Sequence, residues 1–410
     1  IHVGGYLTTA LLQLVTTPSG YPGRIGDGRG SPRHGSRWES CIVRPGRFPL
    51  TYDECRDRFR WTCHLAGLTW SAHPITARGP HGQELTIDVT SYGAATPGRA
   101  LVILTGVHGD EGFSSSVLLC EAIERWVAGG SDRRLADDVA VLMVHAVNPW
   151  GMSYWRRQNE SNVDLNRNWG RDDRTELPQN AGYGVIHPAL VPGGDRLPTP
   201  ESLFDVTRPL VEQHGAAWVT SAVSQGQFSH PDGLYFGGDR TEESNLVLAQ
   251  VVGDRLAGVD DVLVVDLHTG HGEFGTYTLL SHVPEDHPDD AWLRSVFDAE
   301  RIECTSSANA TTGPKHGQIA AGLHDVVDAT TWRTVTMELG TISDTRMIVN
   351  ERAEHWVHFH GDRANPEHAQ VVWDHRCGST PDDDDWESSA RAHGVEVLDA
   401  ARRAFSVDRC

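Results

Sequence analysis

Four apolar runs rich in β-branched residues constrain this chain more than any other feature: ALVILTGV (100–107), VAVLMVHAV (139–147), VLVVDL (262–267) and RTVTM (333–337). Their composition suits strands buried on both faces of a sheet covered by helices. Segments with helical spacing of apolar residues alternate with them, notably SSSVLLCEAIERWVA, ESLFDVTRPLVEQH, NLVLAQVVGDRLAG and DAWLRSVFDAE. Before the first run, TYDECRDRFRWTCHLAG predicts a helix and ELTIDVTSYG alternates like a strand; WESSARAHGVEVLDAARRAF predicts a closing helix. The pattern implies an α/β fold: a single domain with a mixed, largely parallel sheet flanked by helices on both faces. PDDDD (381–385) reads as a solvated loop.

The residues at the end of each run matter as much as the run itself. The first leads into His108-Gly109-Asp110-Glu111, the second into Asn148-Pro149, the third into His268 and the fourth into Glu338-Leu339-Gly340. In open α/β sheets the ligand crevice lies beyond the carboxyl ends of the strands, so two His and two Glu are delivered to one edge. His108 and Glu111, three apart at a strand-to-helix turn, can both reach one metal ion, and His268 supplies a third ligand from a distant strand. Two imidazoles, one carboxylate and an open position make the ligand set of a catalytic zinc site. Such a site acidifies a bound water and needs a carboxylate outside the ligand set to move its proton. Glu338 is the candidate.

A nucleotide-binding turn competes with this reading. GHGEFG, with Gly270, Gly272 and Gly275, spells a dinucleotide-binding G-x-G-x-x-G. That turn should open a helix, with an acidic residue about 20 positions on ending the next strand. Here it leads into TYTLLSH, a strand-like run, so the glycines are read as a tight backbone turn beside the metal ligands. The histidines of EHWVHFH (His355, His358, His360) read as surface and half-buried residues of an amphipathic helix, and His145 as a hydrogen-bonded core residue. Asp266 shares a strand face with His268 and can stand behind it. No G-x-S-x-G and no H-E-x-x-H occurs.

The segment from Asn148 to Trp169 adds Asn166-Arg167-Asn168 after Val163-Asp164-Leu165, polar donors beside a strand or turn; Arg with an adjacent Asn suits a carboxylate. In order, the chain carries H-G-D-E-G, N-P-x-G, R-x-N-x-x-x-V-D-L-N-R-N, D-L-H-T-G and M-E-L-G-T. This series resembles the zinc carboxypeptidase superfamily, which includes the digestive carboxypeptidases, and is most similar to a bacterial branch carried as a domain of unknown function. The resemblance runs from about Phe48 to Phe405. It implies one zinc ion per chain on His108, Glu111 and His268, with Glu338 as general base and acid. It further implies that Asp164 orients the first histidine and that Asn166 and Arg167 hold the substrate's terminal carboxylate. The resemblance also implies that Arg157 polarises the scissile carbonyl, with Arg156 as its competitor. The implied substrate is a peptide or an N-acyl amino acid with a free carboxylate. The alternatives are an amidase or deacylase of N-acyl amino acids or cell-wall peptides, and a non-catalytic binding protein retaining the fold. The family's lid tyrosine has no counterpart: Tyr277 falls too early between His268 and Glu338. The long interval before His268 holds SAVSQGQFSHPDGLYFGG (221–238), read as a loop shaping the pocket mouth.

Composition narrows the partners. A net charge of −21 argues against nucleic acid, and no segment reaches the roughly 18 apolar residues that span a bilayer. Seven cysteines (41, 55, 63, 120, 304, 377, 410) without a C-x-x-C pair fit reduced thiols in a cytoplasmic enzyme, with Cys120 a buried small hydrophobe. Lys315 is the sole lysine beside 34 arginines, which reads as codon bias. Residues 1–47, rich in Gly, Pro, Ser and Arg toward their end, are expected to be a disordered tail, with the catalytic domain over 48–410.

Overall fold

The computed structural model describes residues 47–128, 133–172, 176–307 and 315–408. The expected tail therefore lies outside the described residues except for Arg47. That residue is tied to the domain by ion pairs to Asp382 (2.6 Å), Glu387 (3.1 Å) and Asp384.

The strands are β1 (Trp70–Arg78), β2 (Glu84–Gly93), β3 (Arg99–Thr105), β4 (Arg133–Leu135) and β5 (Val139–His145). They continue with β6 (Asp261–Thr269), β7 (Tyr277–Ser281), β8 (Ile302–Cys304), β9 (Thr331–Leu339) and β10 (Ser406–Asp408). Eight of them form one sheet in the order β1-β2-β5-β3-β6-β9-β7-β8, while β4 and β10 pair separately. The four strands expected from the apolar runs, β5-β3-β6-β9, are its parallel centre. Antiparallel pairings occur at β1-β2, β2-β5 and β7-β9.

Side-chain parity explains why those four runs are apolar throughout. Leu101 and Ile103 of β3, with Leu263, Val265 and Leu267 of β6, join one core layer; Ala100, Val102, Leu104, Val262 and Val264 join the other. Each such fully buried Val, Leu or Ile side chain contributes about 1.5–3 kcal/mol relative to exposure. The helices are α1 (Tyr52–Leu65), α2 (Gly112–Ile123), α3 (Pro149–Tyr154), α4 (Leu165–Asn168), α5 (Ala181–Leu190), α6 (Pro200–His214) and α7 (Ala216–Ser224). They continue with α8 (Glu243–Arg255), α9 (Pro288–Val296), α10 (Ile319–Gly322), α11 (Asp344–His360), α12 (Pro366–Ser379) and α13 (Asp384–Ala404). Helices α1, α2, α9 and α13 cover the first layer, and α4, α8 and α10 the second. The expected α/β fold with helices on both faces is present.

The fold corrects three local expectations. PDDDD is no free loop: Asp383 caps α13 by accepting from the Trp386 amide, and Asp384 and Asp385 form its first turn, where the helix dipole favours acids. Asn166-Arg167-Asn168 lies on neither a strand nor a simple turn. Asp164 accepts from the Asn166 amide and starts a one-turn helix, α4. Of the other decoys, Cys120 and His145 behave as expected, while His355 is fully buried where a surface or half-buried residue was expected. Cys120 is fully buried. His145 is buried in β5 with Nε2 2.8 Å from Ser116 Oγ, and burial lowers its pKa to about 4. His355, His358 and His360 lie on α11, where His355 is buried against the Asp232 carbonyl (2.7 Å) and His360 is exposed. Among the described residues no helix is long and apolar enough to cross a membrane.

Candidate metal centre and cavity

The carboxyl ends of β3, β6 and β9 meet at one cavity, open to solvent and about 150 Å³ in volume. His268 and Glu338 are the eighth residues of β6 and β9, and they are partners in register. Both are therefore inside strands, where the sequence placed them just beyond the ends. Sheet geometry thus fixes them side by side on one face, the face opposite Leu267 and Met337. His108 comes after β3, and a single 3₁₀ turn over Gly109–Glu111 swings Glu111 back toward it before α2 begins.

His108, Glu111 and His268 are buried and present ligand atoms within 4.8 Å of one another, the one such group of three among the described residues. His108 Nδ1 lies 2.8 Å from Glu111 Oε1, His268 Nδ1 lies 3.0 Å from Glu111 Oε2, and the two Nδ1 atoms are 3.1 Å apart. The Thr269 amide donates to Glu111 Oε2 (3.1 Å), which fixes the carboxylate. Behind the rings, His108 Nε2 is 3.3 Å from Asp164 Oδ1 and His268 Nε2 is 2.8 Å from Asp266 Oδ2. With a carboxylate at each Nε2, the proton belongs there and each Nδ1 turns a lone pair inward. Four acceptor atoms then face one point with no donor among them, which is the donor set a divalent cation satisfies. Protonation is the alternative without a cation. Burial opposes it at both rings, and Arg157 also at His108. Glu111 and Asp164 nevertheless raise His108, and Asp266 and Glu111 raise His268 well above the ordinary histidine value.

The remaining predicted residues divide between the cavity and the shell around it. Glu338 lines the cavity, and burial reinforced by Glu111 raises its pKa against the pull of His268. Arg157 lines it too, with Nε (3.2 Å) and Nη2 (3.1 Å) on Asp164 Oδ2, Nη1 3.4 Å from Glu111 Oε1 and the guanidinium over the Tyr235 ring. Its competitor Arg156 is fully buried away from the cavity, paired with Glu354 (3.1 Å) and near Asn162 (3.2 Å). Asn166 and Arg167 both line the cavity. Asn166 Oδ1 accepts from the Ile319 amide (2.9 Å), while Arg167 donates to the Asn166 and Ser224 carbonyls (2.9 and 3.0 Å). Asp266 and Asp164 are the buried carboxylates behind the two rings.

The glycines of GHGEFG serve the backbone. Gly270, Gly272 and Gly275 have φ of 118°, 110° and 73°, and the turn closes on the end of β9 through Gly270 N to Leu339 O and Gly275 N to Gly340 O. Tyr277 sits beyond that turn with its hydroxyl on Glu396 (2.7 Å), outside the cavity lining.

Other lining residues carried no signal that separated them in the sequence. Helix α11 contributes Asp344, Met347, Ile348 and Glu351, a spacing of three and four that marks one helix face. Helix α12 contributes His375 and Ser379, both directed at Asp110. The 221–238 segment forms a wall through Val223, Ser224 and Tyr235, whose hydroxyl donates to Glu351 (2.7 Å).

A family described as "Protein of unknown function (DUF2817)" matches residues 48–393. The chain belongs to this family. DUF2817 is the kind of branch the motif series pointed to, and its match starts at Phe48, the residue after the expected tail. Solved structures similar to this DUF2817 chain include the carboxypeptidase A from Helicoverpa armigera, 12% identical, with a TM-score of 0.44 over 83% of this chain and 73% of that one. A metallo-carboxypeptidase from Burkholderia cenocepacia is 10% identical, with a TM-score of 0.39 over 75% and 68%. A succinylglutamate desuccinylase from a Silicibacter species is 14% identical, with a TM-score of 0.34 over 71% and 67%. No curated protein matches the chain at a significant level.

Proposed function

We propose that this protein is a zinc-dependent hydrolase that cleaves an amide bond next to a free carboxylate, most simply as a carboxypeptidase. The observation that carries the reading is the meeting, in one cavity, of a cation-ready His-Glu-His cluster, the in-register Glu338 and the cavity-facing Arg157 and Arg167. His108, Glu111 and His268 would hold the ion, which supplies an acidified water and a polarised carbonyl. Glu338 takes the water's proton and returns it to the leaving amine; a raised carboxyl pKa suits that return. Arg157 is held along its Nε–Nη2 edge by Asp164, which orients Nη1 to donate to the oxygen that gains charge as the amide is attacked. Asn166 and Arg167 receive the terminal carboxylate, with Arg167 offering a planar fork. The same arrangement acts on an N-acyl amino acid if the acyl side is short.

The test pairs each peptide and N-acyl amino-acid substrate with its C-terminally amidated form, using zinc-loaded protein. The free acids are turned over and the amides are slower by about 10- to 100-fold, the worth of a charged hydrogen bond. Equal cleavage of acid and amide refutes the grip on the carboxylate. No cleavage of either refutes the hydrolase.

A further inference from the structure

Lys315, the chain's sole lysine, lines the cavity. It comes after a stretch outside the described residues and precedes Gln318, another lining residue. The Ile319 amide, next along, donates to Asn166 Oδ1 at 2.9 Å, so the Lys315–Ile319 segment is anchored to the Asn166-Arg167 pair. Leu280 and Thr336, from β7 and β9, line the same cavity.

The cations of this cavity differ in how they are neutralised. Arg157 has Asp164 and Glu111. Arg167 has only two backbone carbonyls, no carboxylate within ion-pair distance among the described residues, and a buried Nε with no acceptor. The Lys315 ammonium has neither a hydrogen-bond nor an ion-pair partner among the described residues. Burial lowers Lys315 to about 8, with Arg167 the next cause and Glu338 pulling the other way; burial also lowers Arg167, against the pull of Asp164. Two cations lining one cavity, neither in contact with a carboxylate, are costly to bury unless an anionic ligand completes them. A single carboxylate satisfies Arg167 and leaves the ammonium unanswered.

We propose that Lys315 determines specificity, and that the amino acid released from the substrate carries a second carboxylate. Its α-carboxylate lies on Arg167 and its glutamate- or aspartate-like side chain on Lys315. The assignment rests on the amide-hydrolase reading above. An ammonium on a flexible stem suits a side-chain carboxylate of variable position, whereas the rigid guanidinium of Arg167 suits the fixed α-carboxylate.

The experiment measures kcat/KM of the zinc-loaded full chain on benzoyl-glycyl dipeptides ending in Glu, Gln, Phe or Lys. The wild type favours Glu over Gln by about 10- to 100-fold. Lys315→Met brings that ratio close to one, Lys315→Arg restores much of it, and Lys315→Glu shifts the preference toward Lys. Equal rates on Glu and Gln in the wild type, or a Lys315→Met loss that is the same for all four, overturns the proposal. If none of the four is hydrolysed, the amide-hydrolase reading falls and calorimetry of free L-glutamate against L-glutamine decides the pocket. Tighter glutamate binding that Lys315→Met abolishes upholds the dicarboxylate site, and equal binding removes it.

Discussion

Replacing Asp266 by Asn tests whether the buried carboxylate behind His268 tunes a metal ligand. The two side chains are 1% and 2% exposed, so solvent screens their 2.8 Å contact little. The substitution keeps the shape and removes one negative charge behind the imidazole, while Glu111 and Asp164 keep their own contacts. Loss of such a partner typically weakens metal binding by 10- to 100-fold, about 1.4–2.7 kcal/mol. The contact is oblique, since neither His268 Nε2 nor Asp266 Oδ2 has a well-aligned hydrogen bond. That places the expected loss nearer tenfold. Competition for zinc against a chromophoric chelator, at fixed pH, measures it directly. A folded Asp266→Asn protein that holds zinc within about twofold of the wild type would refute this tuning role.

Glu338→Gln lowers kcat by about 10²–10⁴ while zinc content stays at the wild-type level; loss of both together contradicts a proton-transfer role. Arg157→Gln lowers kcat by about 10²–10³, whereas Arg156→Gln acts on urea stability, costing about 3–5 kcal/mol less whatever Arg363 returns to Glu354. A kcat effect from Arg156 larger than from Arg157 reverses the assignment. Because the metal-free His268 pKa is raised above 6.5, its stabilisation is full below that value and fades as pH rises through the folded pKa. Melting temperature with a chelator present should accordingly fall as pH rises past 6.5, and zinc should restore most at the alkaline end, where the imidazole is free to bind; a flat chelator profile contradicts this. Trp386→Phe removes the indole donor to Gly340 O (2.8 Å), two residues after Glu338, and should cost about 1–3 kcal/mol by chemical denaturation.

The sheet was legible because β3, β5, β6 and β9 are buried on both faces, a condition that writes itself into composition. The His-Glu-His cluster was legible because its members follow directly on two of the apolar runs. Asp266 was readable from strand parity alone. What escaped has physical reasons. His268 and Glu338 lie within their strands because the ladder continues through polar residues that line a cavity, and an apolar run understates such a strand. The Asn166 turn is helical because Asp164, besides facing His108, caps it, a dual use that sequence spacing does not display. Glu351, Tyr235 and His375 reach the cavity only through the packing of α11, the 221–238 segment and α12. The face Asp344, Met347, Ile348 and Glu351 is present as periodicity, but the histidines one turn later mask it with a stronger metal-like pattern. Lys315 was visible as the lone lysine and was assigned to codon usage; only its place in the cavity separates it from composition.

Elemental mass spectrometry of the purified protein, alongside His268→Ala, tests the central claim most directly. A metal centre at this cluster requires about one zinc per wild-type chain and its loss in the variant, whose remaining His108 and Glu111 leave the ion two protein ligands. If wild type and variant both remain metal-free after growth with added zinc, the acceptor cluster does not hold a cation and the hydrolase reading loses its foundation.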